Sequence, residues 1–221
     1  MKRLRLLASV GALLLGTAVL FAAAQTDNFN RADESPLASP WIAPDGVTDS
    51  KLLLSSFHLV GSALTTVQLM YYNFAFSGNH YSQATLGGSD LTNVATYAYA
   101  AVRIQSSGQS AYVYGIIAGA TSYKIQKIVS GTFTALQTCS GTPTAGDVVK
   151  LSVSGSSLTG TVNGGSTCSA SDGALSGGRA GLGGYNGSGA YTFDDWSGDD
   201  VAGGGGGGCT GALLLLGAGK C

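Results

Sequence analysis

Carboxylates come first among residues that could do chemistry, because two of them about 5 Å apart, one protonated, can cleave a glycosidic bond with retention. The chain has 12 acidic residues but one glutamate, Glu34, which gathers with Asp27 and Asp33 in "TDNFNRADESPLASPW". Glu34 falls in a Pro-bounded loop rather than on a strand. The close aspartate pairs are Asp194-Asp195 and Asp199-Asp200; strand neighbours point to opposite faces, so Asp194 and Asp195 cannot address one bond together. Asp199 and Asp200 lie on the way into a glycine run. A nucleophilic triad would need His58 in "SFHLV" or His80 in "SGNHYSQ", and neither is accompanied by a GxSxG elbow. No CxxC or Cys/His cluster suggests zinc. The expectation is a protein without hydrolase activity.

Binding is better provided for. Sugars are held by aromatic faces that stack on the ring and by amide, guanidinium or carboxylate groups that bond its hydroxyls. In "YAYAAVRIQ" the alternation puts Tyr97, Tyr99, Ala101 and Arg103 on one face and Ala98, Ala100, Val102 and Ile104 on the other, which is the buried one. In "AYVYGII", Tyr112, Tyr114 and Ile116 share a side. Paired, the two strands would present Tyr99, Arg103, Tyr112 and Tyr114 as a ligand-binding surface. Two rims offer further candidates: His80 with Tyr81, and Tyr185 with Asn186 in "GGYNGSG".

These residues need strands to position them. From residue 51 the chain reads as short alternating runs at 51–54, 57–60, 65–72, 80–86, 97–105, 111–118, 121–129, 132–138, 147–154, 157–163, 166–170, 179–184 and 190–197. The turns between them are explicit in "SSGQS", "VSGT", "SGSS" and "NGG". So many closely spaced strands predict two packed sheets or a barrel.

The ends have other compositions. Residues 1–24 read as a signal peptide: basic MKRLR, an apolar run, then Ala22-Ala23-Ala24 before Gln25. An uncleaved anchor is the alternative, and either one predicts a secreted or cell-surface location. Of 11 basic residues, removal of Lys2, Arg3 and Arg5 leaves 8 against 12 acidic, a formal charge of −4 that argues against nucleic acid. Residues 25–201 suit one domain. Residues 202–221 hold a flexible Gly-rich linker and a short apolar tail, which could support self-association. Its "GAGKC" ending lacks the Ser or Thr and the helix of a phosphate loop. Four cysteines in an oxidising compartment allow three pairings. The pairing chosen is Cys139 with Cys168 and Cys209 with Cys221, because the glycine run separates the two sets.

A series of landmarks follows in order: "DNFNRAD", "PL", Trp41, "HYSQATL", "AAVRIQ", "YKIQKIVSGTFTAL", "GDVVKLSVSGSSLTGTVNG", "SDGALSGGRAGLGGY" and "FDDW". Together they resemble the concanavalin A-like, laminin G-like jelly-roll domains of exported and phage-associated bacterial proteins, over roughly residues 26–198. The resemblance implies an all-β, two-sheet antiparallel jelly-roll sandwich, with a glycan surface as partner and contact through a concave face or its rim. It also implies first and last strands side by side, with Phe29 and Phe193 or Trp196 as core anchors. That closure would bring Asp27 near Asp194 or Asp195, where a structural Ca²⁺ could offset the like charges. Glucanases of this architecture rely on an ExDxE strand, which the chain lacks. The function expected is non-catalytic carbohydrate binding or adhesion, with a structural or assembly subunit as the alternative.

Overall fold

A computed structural model describes residues 23–35, 37–44, 52–55, 58–61, 67–88, 91, 96–116, 122–165, 167–186 and 191–201. Residues 1–22, most of the expected signal peptide, the tail 202–221 with Cys209 and Cys221, and the side chains of His58 and Asn186 lie outside the described residues.

The strands in chain order are β1 (Gln25–Asp27), β2 (Trp41–Ile42), β3 (Leu52–Ser55), β4 (His58–Gly61), β5 (Gln68–Tyr72), β6 (His80–Gly87), β7 (Thr96–Ile104), β8 (Ala111–Ile116), β9 (Tyr123–Val129), β10 (Thr132–Cys139), β11 (Val148–Ser154), β12 (Ser157–Val162), β13 (Thr167–Ser171), β14 (Arg179–Asn186) and β15 (Thr192–Asp200). They form two antiparallel sheets. One runs β13-β12-β11-β6-β15-β4-β3, with β1 also on β15; the other runs β10-β9-β8-β7-β14-β5-β2. The first is eight-stranded and the second seven-stranded.

Alternation decides which residues face inward. In β6, His80, Ser82, Ala84 and Leu86 are buried while Tyr81, Gln83 and Thr85 are half-exposed. In β11, Val149, Leu151 and Val153 are buried. These meet Ala98, Ala100, Val102, Tyr112, Tyr114 and Leu182 of the facing sheet in one core cluster, and each large side chain fully buried there contributes about 1.5–3 kcal/mol of transfer free energy. The sheets also share polar ties. Ser82 Oγ donates to the Gly181 carbonyl (2.6 Å) and accepts from Trp196 Nε1 (3.0 Å).

The stretch "GDVVKLSVSGSSLTGTVNGG" opens a meander, with β11 paired to β12 and β12 to β13. Its small residues let the facing sheet approach: the Tyr114 ring fills the space above Gly160, where a Cβ would lie 2.6 Å from the ring. The closure of the termini also holds, since β1 pairs with β15 and puts Asp27 opposite Trp196. Phe29, Phe193 and Trp196 are buried. Trp41 packs edge-on against Trp196 at 4.9 Å, and Tyr72 stacks on Trp196 at 4.9 Å. The Cys139–Cys168 disulfide joins β10 to β13, the end strands of the two sheets.

The seven-stranded sheet is far from flat. Phe133 pairs with Ile128, and Ile128 with Ala111, which places Phe133 level with the Arg103 end of β7. In a flat sheet Phe133 and Tyr97 would be about 14 Å apart across the strands and about 20 Å along them. Their rings are 5.2 Å apart. The sheet therefore curls over its outer face, helped by register shifts between Ala135 and Gln137 and between Arg179 and Gly181 and by the left-handed backbone of Arg103 (φ 51°). Inside the curl lies a second apolar cluster of Leu69, Tyr71, Tyr99, Ala101, Ile104, Ala111, Val113 and Ile128, all from this one sheet.

Candidate functional site

The expected surface of Tyr99, Arg103, Tyr112 and Tyr114 does not exist, and register explains why. Ala100 pairs with Tyr114 and Val102 with Tyr112, so Tyr112 and Tyr114 face the inter-sheet core, whereas Tyr99 pairs with Gly115 and points the other way. All three tyrosines are buried, as is Arg103. Burial pushes the Tyr114 hydroxyl up to about 12. The Tyr112 hydroxyl donates to Asp172 Oδ1 (2.6 Å) and accepts from the Leu175 N–H (3.0 Å), which anchors the loop after β13. Asp172 also receives Lys127 Nζ at 2.7 Å and the Ala174 N–H at 2.8 Å. Burial pushes the Asp172 carboxyl up, but the bonds from Lys127, Tyr112 and Ala174 outweigh it and hold it at about 2.

Arg103 and His80 form a structural knot. The guanidinium donates to the carbonyls of Gly78 (2.9 Å), Gly155 (2.7 Å) and Leu175 (2.7 Å), tying together three loops at one end of the sandwich. Its backbone N–H donates to His80 Nε2 (3.1 Å), and His80 Nδ1 lies 2.8 Å from the Ser77 carbonyl. That pattern requires the neutral ring with its proton on Nδ1. Burial, and to a lesser degree the Arg103 charge, lowers the His80 pKa. Tyr81, beside it in sequence, stands on the outer face of the eight-stranded sheet with Lys150 Nζ 3.7 Å over its ring. His80 and Tyr81 thus belong to different environments and form no rim site together.

Asp27 is also accounted for by the protein. Its Oδ1 accepts from the Phe29 N–H (2.8 Å) and Arg31 (2.7 Å), and its Oδ2 accepts from Trp41 Nε1 (2.7 Å). Arg31 continues to Glu34 Oε1 at 2.8 Å, and that hydrogen bond holds the Glu34 carboxyl below its ordinary value. Arg31 thus meets the Asp27 charge, and the acidic opening stretch is a latch on Trp41. Asp194 Oδ1 accepts the Asp195 N–H at 2.8 Å, where Asp195 adopts φ 47° in a bulge of β15. Among the described residues no group of three or more His, Cys, Asp or Glu side chains converges as a metal site.

One predicted residue, Tyr185, does line a cleft. It sits opposite Tyr97 on neighbouring strands, with the rings edge to face at 5.0 Å. Phe133 closes against Tyr97 from across the curl, and Gln68, Gln109, Ser130 and Gly131 supply the polar walls of an opening of about 740 Å³. That size falls in the range of small-molecule sites. Burial, and secondarily Tyr185, raises the Tyr97 pKa, so its hydroxyl stays neutral. Among the described residues lining the cleft none carries a carboxylate. Sequence reasoning placed Tyr97 on the same face as Tyr99 without selecting it, and it missed Phe133, Gln68 and Gln109. Their common signal is the curl, which pairing patterns in the sequence do not reveal.

Two antiparallel sheets in this strand order, packed through one core and joined at the termini, make the domain a concanavalin A-like jelly roll. Solved structures similar to it include the carbohydrate-binding module CBM66 from Bacillus subtilis, with a TM-score of 0.56 and 12% identity over 64% of this chain and 86% of that one. A prokaryotic beta-1,3-1,4-glucanase (lichenase) derived from a mouse hindgut metagenome gives 0.57 and 10% over 81% and 100%. The CBM2 module of the evolved Dit of Lactobacillus casei BL23 phage J-1 gives 0.50 and 11% over 80% and 96%. At these identities the likeness defines the fold. No protein-family model and no curated protein matches the chain.

Proposed function

We propose that the chain is an exported, non-catalytic carbohydrate-binding module whose glycan lies in the cleft between Tyr97, Tyr185 and Phe133. The observation that carries this reading is the cleft itself: the Tyr97 ring with Phe133 at 5.2 Å and Tyr185 at 5.0 Å from it, bordered by amide and hydroxyl groups. Aromatic faces suit the C–H side of a sugar ring, and amides suit its hydroxyls. The fold is shared with carbohydrate-binding modules as well as with glycoside hydrolases, and the described residues that line this cleft include no pair of carboxylates of the kind hydrolysis requires. The basic and apolar start of the sequence supports export.

The test is a glycan array probed with the wild-type chain and with Tyr97→Ala. Retention of a glycan by the wild type and its loss in the variant is the expected result. No glycan retained, with self-association lost on deleting residues 202–221, would instead make the protein an assembly subunit. Release of reducing sugar from a retained polysaccharide would overturn the non-catalytic reading.

A further inference from the structure

Among the described residues, three arginines are placed in different ways. Arg31 pairs with Asp27 at 2.7 Å and Glu34 at 2.8 Å, and Arg103 donates to three loop carbonyls. Arg179, at the start of β14, has neither kind of partner. No described residue accepts from its guanidinium, and its Nε is buried without an acceptor. The group is nonetheless held in place. Its central carbon lies 4.9 Å from the centroid of the Tyr71 ring, and Tyr71 is itself only 7% exposed. Gly181 contributes no side chain beside it, and Ile104 Cδ1 lies 2.9 Å from where a Cβ of Gly181 would stand. Burial stops at Nε: the residue is half-exposed and its two Nη nitrogens keep access to solvent.

The strand decides where this open edge lies. Ala180 and Leu182 enter the inter-sheet core, so Arg179, Gly181, Gly183 and Tyr185 share the outer face of the sheet. Arg179 and Tyr185 are six residues apart on β14, about 20 Å on an extended strand. Arg179 is not a wall of the cleft.

A guanidinium keeps its charge at every working pH. This one is stacked on a ring and sealed along one edge, which removes part of its water, and no described carboxylate offsets it. The two open Nη groups lie in one plane and match two oxygens of a carboxylate or a sulfate, the pairing in which arginine binds most strongly. A sugar hydroxyl can accept one of these bonds but brings no counter-charge.

We infer that Arg179, stacked on Tyr71, forms a second ligand site on the outer face of the seven-stranded sheet, specific for the carboxylate or sulfate ester of an acidic glycan. The site stands on its own geometry and rests on the proposed function only in taking a glycan as the carrier of the oxyanion.

Solution NMR of the full chain tests this through the Arg179 Nε–Hε signal, assigned by its loss in Arg179→Gln. The probes are oligogalacturonates, sulfated galacto-oligosaccharides, neutral gluco-oligosaccharides of matched length, and sodium sulfate. The expected result is a saturable shift with an acidic oligosaccharide and none with the neutral ones. Calorimetry should show acidic affinity at least about tenfold weaker in Arg179→Gln and only partly kept in Arg179→Lys, which retains the charge without the planar fork. Unchanged thermal midpoints check that both variants are folded. A response to oligogalacturonate assigns a carboxylate, and a response to the sulfated probe assigns a sulfate ester. A signal that no acidic oligosaccharide shifts, a shift with sodium sulfate alone, or acidic binding by Arg179→Gln equal to wild type would overturn the inference. Neutral glycan binding that is lost in Tyr97→Ala and kept in Arg179→Gln would leave the cleft standing in each of those cases. Acidic binding that depends on Arg179, with no neutral glycan retained, would remove the cleft and keep this site.

Discussion

Tyr97 meets Tyr185 through a strand pair and Phe133 through the curl, so its ring is the one common to both contacts. Stacking energy at such a position is concentrated in the aromatic face, and Tyr97→Ala should weaken glycan binding roughly tenfold to a hundredfold by calorimetry while Tyr97→Phe keeps most of it. His80 gives a prediction about pH. Its pKa in the fold lies below the ordinary value of 6.5, so below about pH 6.5 the unfolded chain binds a proton that the folded chain resists. Its contribution is complete above that pH and is lost as pH falls toward the folded value. The thermal midpoint should therefore decline from about pH 6.5 downward, and His80→Gln, which can donate to Ser77 and accept from Arg103, should flatten that decline. Arg103 belongs with it: its guanidinium serves the carbonyls of three loops, and Arg103→Ala should lower unfolding free energy by about 2–4 kcal/mol in urea titrations.

Strand by strand, the sequence anticipates most of what is seen. The runs at 80–86, 111–118, 132–138 and 157–163 correspond to β6, β8, β10 and β12 within about two residues at each end, because each is a short run rich in strand-forming residues bounded by glycine- or serine-containing turns. β2 escaped notice because two residues carry no period. Side-chain direction was harder. "YAYAAVRI" and "AYVYGI" alternate correctly, yet the alternation cannot say whether Tyr112 faces the side of Tyr99 or the side of Val102; the pairing of Val102 with Tyr112 decides it. The choice also depended on volume, since the small Ala98 and Ala100 leave room for the rings of the next strand. Cys139 and Cys168 join β10 and β13, at the ends of different sheets and separated by 29 positions. Replacing both with serine should cost roughly 3–4 kcal/mol of stability by the loop-closure argument. Guanidinium denaturation of the double variant checks this, and a loss below about 1 kcal/mol would show that the bond adds little beyond the core.

At the scale of the molecule, two faces of one sheet have separate duties. The inner face of the seven-stranded sheet joins the inter-sheet core, while its outer face rolls up around a smaller cluster and leaves the cleft at the mouth. Fold class was legible early because strand spacing, small residues and the order of the landmarks agreed. The cleft was not, since its walls come from β5, β7, β10, β14 and two turns that only the curl brings together. That separation has a consequence for how the protein can change over generations. Gln109, Ser130 and Thr132 border the cleft and are absent from the inter-sheet core, so mutations there would reshape the proposed binding surface while leaving that core untouched. With the proposed function, new ligand preferences would be reachable by single steps that leave the inter-sheet core unaltered.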